Sequence, residues 1–361
     1  MSTPGPGVAT DVPAFRPTPH LEHLCAEVAG LAATVRASQP TVDVRRANRD
    51  RAVVATLQLD GSPITAVPDH LDMVVEAVAG SVPAPREGRS ASWYESFELL
   101  DDTPDEQVLA LEAAGVVAGL EAEDLAAGLL DDPLGALAEL HRRVTRGLLA
   151  PERAGTARST EQAVHDASIG RILYYTVHPQ TITAELERLG SWLAEAAAEL
   201  DPVVASGLLH LELLRIHPFE AANGRVSRLA ARLWLRHHGL DPHGSAAAEP
   251  VLATDRLGYH EEVARTLRRR DAAMWLERWA EAVATGLRGA ARAERVLEGE
   301  PSAATLGFVA ERPAGSAFTV AELRDETGVT TAAARAELGQ LLDAGHVERV
   351  LGSRGLRFVV T

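Results

Sequence analysis

The chain has 361 residues, enough for two or three domains with buried cores, and its 46% apolar and 24% charged content fits a soluble globular protein. A formal net charge of -16 argues against a broad, sequence-blind grip on nucleic acid or on an anionic membrane. All 35 basic residues are Arg. Without a lysine there is no Walker-type phosphate loop. The single cysteine, Cys25, reads as a small apolar helix residue and fits a reducing, cytoplasmic setting. The N-terminus lacks the pattern of a signal peptide, and no uncharged apolar run is long enough to span a bilayer, so no membrane partner is expected.

A Pro-rich, disordered arm over 1–19 leads into an N-terminal helical region, 20–125. Helices are predicted over 21–35, 45–59, 70–78, 105–120 and 134–149, with apolar residues at helical spacing. Asp60-Gly61 stops the second of these. Ala154 to Gly170 is polar and turn-rich, and the β-branched, aromatic run from Ile172 to Val177 reads as a strand or hairpin. Further helices are expected over 183–200, 202–216, 225–238, 259–268 and 271–297, closing a core that spans 126–297. Residues 298–317 read as a linker and 318–361 as a small α+β winged-helix domain. In it Thr319 and Glu322 form a capping box, Thr330 or Thr331 caps a second helix, and a terminal hairpin turns at Gly352 to Gly355. From Pro301 onward six Arg stand against seven acids, so DNA binding by this unit is less expected than a protein contact or a homodimer.

The most informative segment is His217-Pro-Phe-Glu-Ala-Ala-Asn-Gly-Arg-Val-Ser-Arg228. Asn223-Gly224 marks a tight turn, and the helix that starts there directs free N–H groups and its positive dipole end at that turn. That is a ready anion site. Arg225 and Arg228, three apart, add two planar forks for phosphate oxygens. His217 is the nearby side chain able to exchange a proton near neutral pH. A base beside a phosphate cradle points to transfer of a phosphate-containing group to a hydroxyl. A capped turn with a solvated face fits the same spacing, which does not separate the two.

The segment resembles the Fic-family signature, met at His217, Phe219, Asn223, Gly224, Arg225 and Arg228. Leu140-His141, Gly155, Arg158 and the Tyr174 to Val177 strand are similar to the family's lead-in and flap. The resemblance implies a mainly α, Fic-type helical bundle with a short β-hairpin flap. It implies transfer of AMP from ATP to a Ser, Thr or Tyr hydroxyl of a protein target, or of the chain itself. His217 would be the base, Asn223, Gly224 and Arg225 would hold the phosphates, and Arg228 would orient the terminal one. Tyr174, Tyr175 and Thr176 would dock an extended target segment by strand addition. Tyr259 would lie near the adenine. Gly224, where Doc-type kinases carry lysine, favours adenylylation.

Two departures matter. The family's acid, a ligand for Mg²⁺ or Mn²⁺, is replaced here by Ala221, with Glu220 one position earlier. Either Glu220 reaches the ion, or water and phosphates hold it, or another group is transferred, or the fold is a catalytically weak nucleotide-binding regulator. Without metal, Glu220 should point away from phosphate. Thr56 to Gly61 resembles the family's inhibitory helix, with Asp60 for the usual glutamate. Asp is shorter by one methylene, about 1.5 Å of reach, so an Asp60–Arg228 pair is expected to be strained or water-bridged and the brake looser. His237, His238 and His243 lack a Cys or carboxylate to complete a metal set, and Trp275 and Trp279 read as core.

Overall fold

The computed structural model describes residues 12–38, 40, 42–68, 71, 105–166, 171–195, 199–298, 301–352 and 355–361. The helix expected over 70–78, the arm before residue 12 and part of the flap turn lie outside them. The chain divides into two compact units, Met1–Arg288 and Gly289–Thr361. It is mainly helical with two small antiparallel sheets.

In the first unit α1 (Pro19–Ala37) starts at Thr18, whose hydroxyl caps the Leu21 N–H, and it buries Leu21, Leu24, Val28 and Val35. Ala14 of the expected arm is ordered against the bundle, since it bridges Asp271 and its carbonyl accepts from the Ala272 N–H. Helix α2 (Val42–Leu59) ends where Gly61 takes φ 94, a left-handed turn that a residue without Cβ adopts freely. Helices α3 (Asp105–Leu120), α4 (Asp124–Asp131) and α5 (Pro133–Val144) follow. Asp132, which accepts from the Gly135 N–H, caps α5. The helix expected to run on to 149 stops at Val144, where the Thr145 hydroxyl bonds back to the His141 carbonyl.

Strands β1 (Ala163–Asp166) and β2 (Arg171–Tyr175) form an antiparallel hairpin with a register shift between Val164 and His165. Then come α6 (Ile182–Glu195), α7 (Pro202–Ile216), α8 (Asn223–His237), a short α9 (Glu249–Ala253), α10 (Arg256–Arg269) and α11 (Ala273–Glu298). Helix α7 is apolar on every face and nearly every residue of it is buried, so it is the centre of the bundle. Helix α8 has an arginine face that reads as solvent-facing, yet Arg225, Arg228 and Arg232 are buried. Carboxylates from other elements make that burial tolerable: Asp60 and Glu112 at one end, Asp241 and Glu249 at the other. Trp275 and Trp279 are core residues that cluster with His210, all three ring centroids 5.3 to 5.8 Å apart, and their N–H groups donate to the Gly207 carbonyl and the Ser206 hydroxyl.

The second unit contains an element absent from the sequence reading. Residues 298–317, expected as a linker, hold α12 (Ala303–Ala310), capped by Ser302. Its Phe308 and Val309 join a core with Phe318, Leu323, Leu338, Leu341 and Phe358. Strand β3 (Ala317–Phe318), helices α13 (Val320–Thr327) and α14 (Thr331–Asp343), and strands β4 (Val347–Gly352) and β5 (Gly355–Val360) complete it, with sheet order β3-β5-β4. The Thr319–Glu322 capping box and the Thr330 cap are both formed.

Candidate functional site: an arginine cradle closed by Asp60

The loop between α7 and α8 is shaped by two left-handed residues, His217 at φ 51 and Ala222 at φ 57. Neither is glycine, so surrounding contacts must hold the conformation. Asn223 supplies two of them, accepting from the Phe219 N–H at 2.9 Å and donating to the Phe219 carbonyl at 2.7 Å. Its amide therefore shapes the loop in this conformation. Phe219 is stacked on His141, with ring centroids 4.0 Å apart. The Gly155 N–H donates to His141 Nδ1 at 2.7 Å, so the ring proton is on Nε2, which donates to the Ala221 carbonyl at 3.2 Å. Burial pushes this histidine down to about 4 and keeps it neutral.

Arg158 ties the same loop to the hairpin. Its Nε donates to the His217 carbonyl at 2.6 Å and its Nη2 to the Val177 carbonyl at 2.6 Å and the Thr176 hydroxyl at 2.9 Å. Its backbone N–H also reaches the Pro218 carbonyl at 2.8 Å. His217 is thus fixed from both sides. Its Nδ1 lies 3.3 Å from the Leu214 carbonyl, and an N–H is the group that can bond there, leaving the Nε2 lone pair free. Burial pushes His217 down to about 4, outweighing the Leu214 carbonyl, so the ring is a neutral base at pH 7.

At the first turn of α8 the cradle is filled by a carboxylate of the same chain. Asp60 Oδ1 accepts from Arg228 Nη2 at 2.7 Å, and Oδ2 accepts from Arg225 Nε at 3.0 Å. Arg228 also donates to the Thr56 hydroxyl at 2.5 Å and the Thr56 carbonyl at 2.8 Å. The shorter side chain was expected to give a strained or water-bridged pair, but the contact is direct. The reason is Gly224: a Cβ there would lie 2.5 Å from Asp60 Oδ1, so only glycine lets this carboxylate approach the helix end. Arg256 and His260 hold the end of α2 in place through the Leu59 carbonyl, each at 3.0 Å. Burial works to raise the Asp60 pKa, but Arg228 and Arg225 outweigh it and hold it below the ordinary carboxylate value.

The sequence reading missed Glu112 on α3. Fully buried, it pairs with Arg225 Nη2 and accepts from the Ser62 hydroxyl at 3.1 Å. The signal was an acid inside the apolar run Val108-Leu-Ala-Leu-Glu112-Ala-Ala, where burial demands a partner. Arg225 thus keeps an internal counter-charge whatever Asp60 does.

Three other candidate positions are engaged within the protein in this conformation. Glu220, the candidate metal ligand, turns to the base of the hairpin, accepting from the Thr160 hydroxyl at 2.9 Å and the Ser159 N–H at 3.2 Å. Ala221 offers a methyl group where the family's acid would stand, and Glu220 is engaged by Thr160 and Ser159, so neither presents a free carboxylate to the cradle in this conformation. Tyr174 is buried at 7% exposure and does not face a docking target, whereas Tyr175 beside it is 75% exposed. Thr176 is turned inward, its hydroxyl donating to the Gln162 carbonyl at 2.7 Å. Tyr259 is buried with its hydroxyl 2.9 Å from His210 Nε2, so it presents no face to a base.

Residues 132–235 match the Fic/DOC family, so this segment of the chain is a Fic/DOC family domain. The crystal structure of a Fic family protein from Desulfovibrio desulfuricans shares the fold, with TM-score 0.59 and 21% identity over 97% of this chain and 98% of that one. Among curated relatives, a protein adenylyltransferase Fic of Nematostella vectensis is 27% identical over 223 residues, 54% of this chain and 49% of its own. The protein adenylyltransferase fic-1 of Caenorhabditis elegans is 32% identical over 105 residues, 29% of this chain and 19% of its own. The chain therefore spans between about a fifth and a half of these two relatives. Among the described residues no helix is long and apolar enough to cross a membrane.

Proposed function

We propose that the chain is a Fic-type transferase that moves AMP from ATP to a Ser, Thr or Tyr hydroxyl of a protein, and that the described conformation is its restrained form. One observation carries this reading: a neutral imidazole at His217 beside an arginine cradle already occupied by an internal carboxylate. In the transfer the target hydroxyl gives its proton to His217 Nε2 while its oxygen attacks the α-phosphorus of ATP. The bond to the bridging oxygen breaks and pyrophosphate leaves. Negative charge builds on the departing phosphates, where the α8 N-terminus and Arg228 stand. Asp60 holds that place against them by charge and by volume. Arg225 is already matched by Glu112, so Arg228 is the cation that departure of Asp60 releases.

Ala221 favours a second reading, a nucleotide-binding regulator that transfers slowly or not at all, with the C-terminal unit as a protein-contact module or dimer contact. Labelled ATP incubated with lysate and the Asp60→Ala chain separates the two, run beside Asp60→Ala/His217→Ala and with and without Mg²⁺ or Mn²⁺. Label that depends on His217 supports transfer. ATP binding with no label under any condition favours the regulator. Repeating the assay with other nucleoside triphosphates identifies the donor.

A further inference from the structure

At the opposite end of α8 lies a second, larger concentration of arginine. A cavity of about 950 Å³ opens among the end of α1, the first turns of α2, the ends of α3 and α8 and the segment that follows α8. Six arginines line it: Arg36, Arg45, Arg46, Arg49, Arg232 and Arg236. Three carboxylates, Glu121, Glu123 and Asp241, stand against them, although acids outnumber bases in the chain as a whole by 51 to 35. The sequence reading gave these arginines no role.

The carboxylates match much of this charge, but among the described residues none pairs with Arg36 or Arg45. Asp241 is matched to Arg232 and Arg236, each at 3.3 Å, and Glu121 to Arg49 at 3.1 Å. Glu123 reaches only to 4.0 Å from Arg236. Arg46 has Asp50 at 3.7 Å, and Arg45 is exposed with no ion-pair partner among the described residues. Arg232 is buried at 3% exposure, with its Nη1 3.7 Å from Glu249 and its Nη2 donating to the Gly244 carbonyl at 2.7 Å. Arg45 also sits in the first turn of α2, where the helix dipole disfavours a cation, and Arg45 and Arg49 are like charges at i,i+4. This local electrostatic cost would be relieved by an anion. Val42, Leu120, Ala126 and Pro242 give the same cavity an apolar wall. A volume of this order takes a ligand of nucleotide size, and guanidinium forks suit phosphate oxygens.

We propose that this cavity binds a small molecule bearing a condensed phosphate chain, of nucleoside polyphosphate size, at a site separate from the Arg228 cradle. The eight residues from Arg228 to Arg236 set the two roughly 12 Å apart along the helix.

The test is calorimetric titration of the full-length protein and of its Arg45→Gln/Arg46→Gln variant with inorganic tripolyphosphate, ATP and tetraglutamate. Both substituted residues are exposed, and thermal melts check that the variant folds. The cradle is the same in both chains, so a difference in affinity reports the cavity alone. The expected result is tripolyphosphate or ATP binding weakened at least tenfold in the variant, with new hydrogen-exchange protection over 42–49 and 235–244. ATP binding more tightly than tripolyphosphate identifies a nucleotide that uses the apolar wall; equal affinities identify the phosphate chain alone. No binding, equal binding by both chains, or tetraglutamate bound as tightly as tripolyphosphate overturns the proposal.

Discussion

Asp60 is held below the ordinary carboxylate value only because two guanidinium groups face it, so its removal acts on stability and on access to the cradle at once. In an Asp60→Ala chain Arg225 keeps Glu112, but Arg228 is left buried with the uncharged Thr56 contacts. Losing one partner of a buried pair costs about 3 kcal/mol, which urea unfolding should read directly. ATP or pyrophosphate should stabilise the variant more than the parent, because only the variant adds an open cradle to whatever both chains bind elsewhere. Labelling should rise at least tenfold. An unchanged rate with unchanged ATP affinity would remove the brake altogether. Thr56, Asp60 and the arginines were legible because the spacing of a short segment carries them. Glu112 was not, since a single acid in an apolar helix names no partner until the fold brings Arg225 to it.

The hairpin shows the same contrast between elements. β-branched and aromatic composition marked Ile172 to Val177 as a strand but not which face is inward, and β2 turns Tyr174 into the bundle while Tyr175 faces solvent. Tyr174→Ala should therefore destabilise the fold by about 3 to 5 kcal/mol, the scale of a large aromatic lost from a core. Tyr175→Ala should leave the melt unchanged and raise the KM for a protein target. The reverse pattern would put the docking face on the other side of the strand. Arg158 acts through others, joining the hairpin to the carbonyl of His217. Arg158→Ala should reduce labelling of a target at least tenfold while ATP affinity stays within about twofold, and Arg158→Lys should not rescue it, because one ammonium cannot replace the planar fork. Long helices were legible, α7 from its largely apolar run between Pro202 and Ile216 and α11 from its periodicity. The short helices α4, α9 and α12 were not, because one or two turns hold too few residues to establish a period. Helix α12 was further hidden by the Gly, Pro and Ala around it, although Ser302 caps it and Phe308 packs into a core.

Across the whole molecule, buried imidazoles govern how stability responds to acid. Burial pushes His141 and His217 to about 4 and His210 to about 3, and lowers His260 as well. An unfolded chain would protonate all four near 6.5, so below that pH it binds more protons than the native state. Their contribution is complete above pH 6.5 and is lost as pH falls toward 4, with an order of 3 kcal/mol at stake for each strongly shifted ring. Glu112, Glu212 and Glu249 act with the opposite sign, since burial raises their pKa values and the native state takes up their protons first. Four rings stand against three carboxylates, so the rings are expected to dominate from about 6.5 to 5. Urea unfolding at pH 7.5, 6.5 and 5.5 should then give a free energy that falls with each step. In a Glu112→Gln chain the fall should be steeper, because one opposing proton uptake is gone. Stability that stays level or rises over this range would mean that these rings are charged in the native state, and a charged His217 has no lone pair with which to take a proton from a hydroxyl.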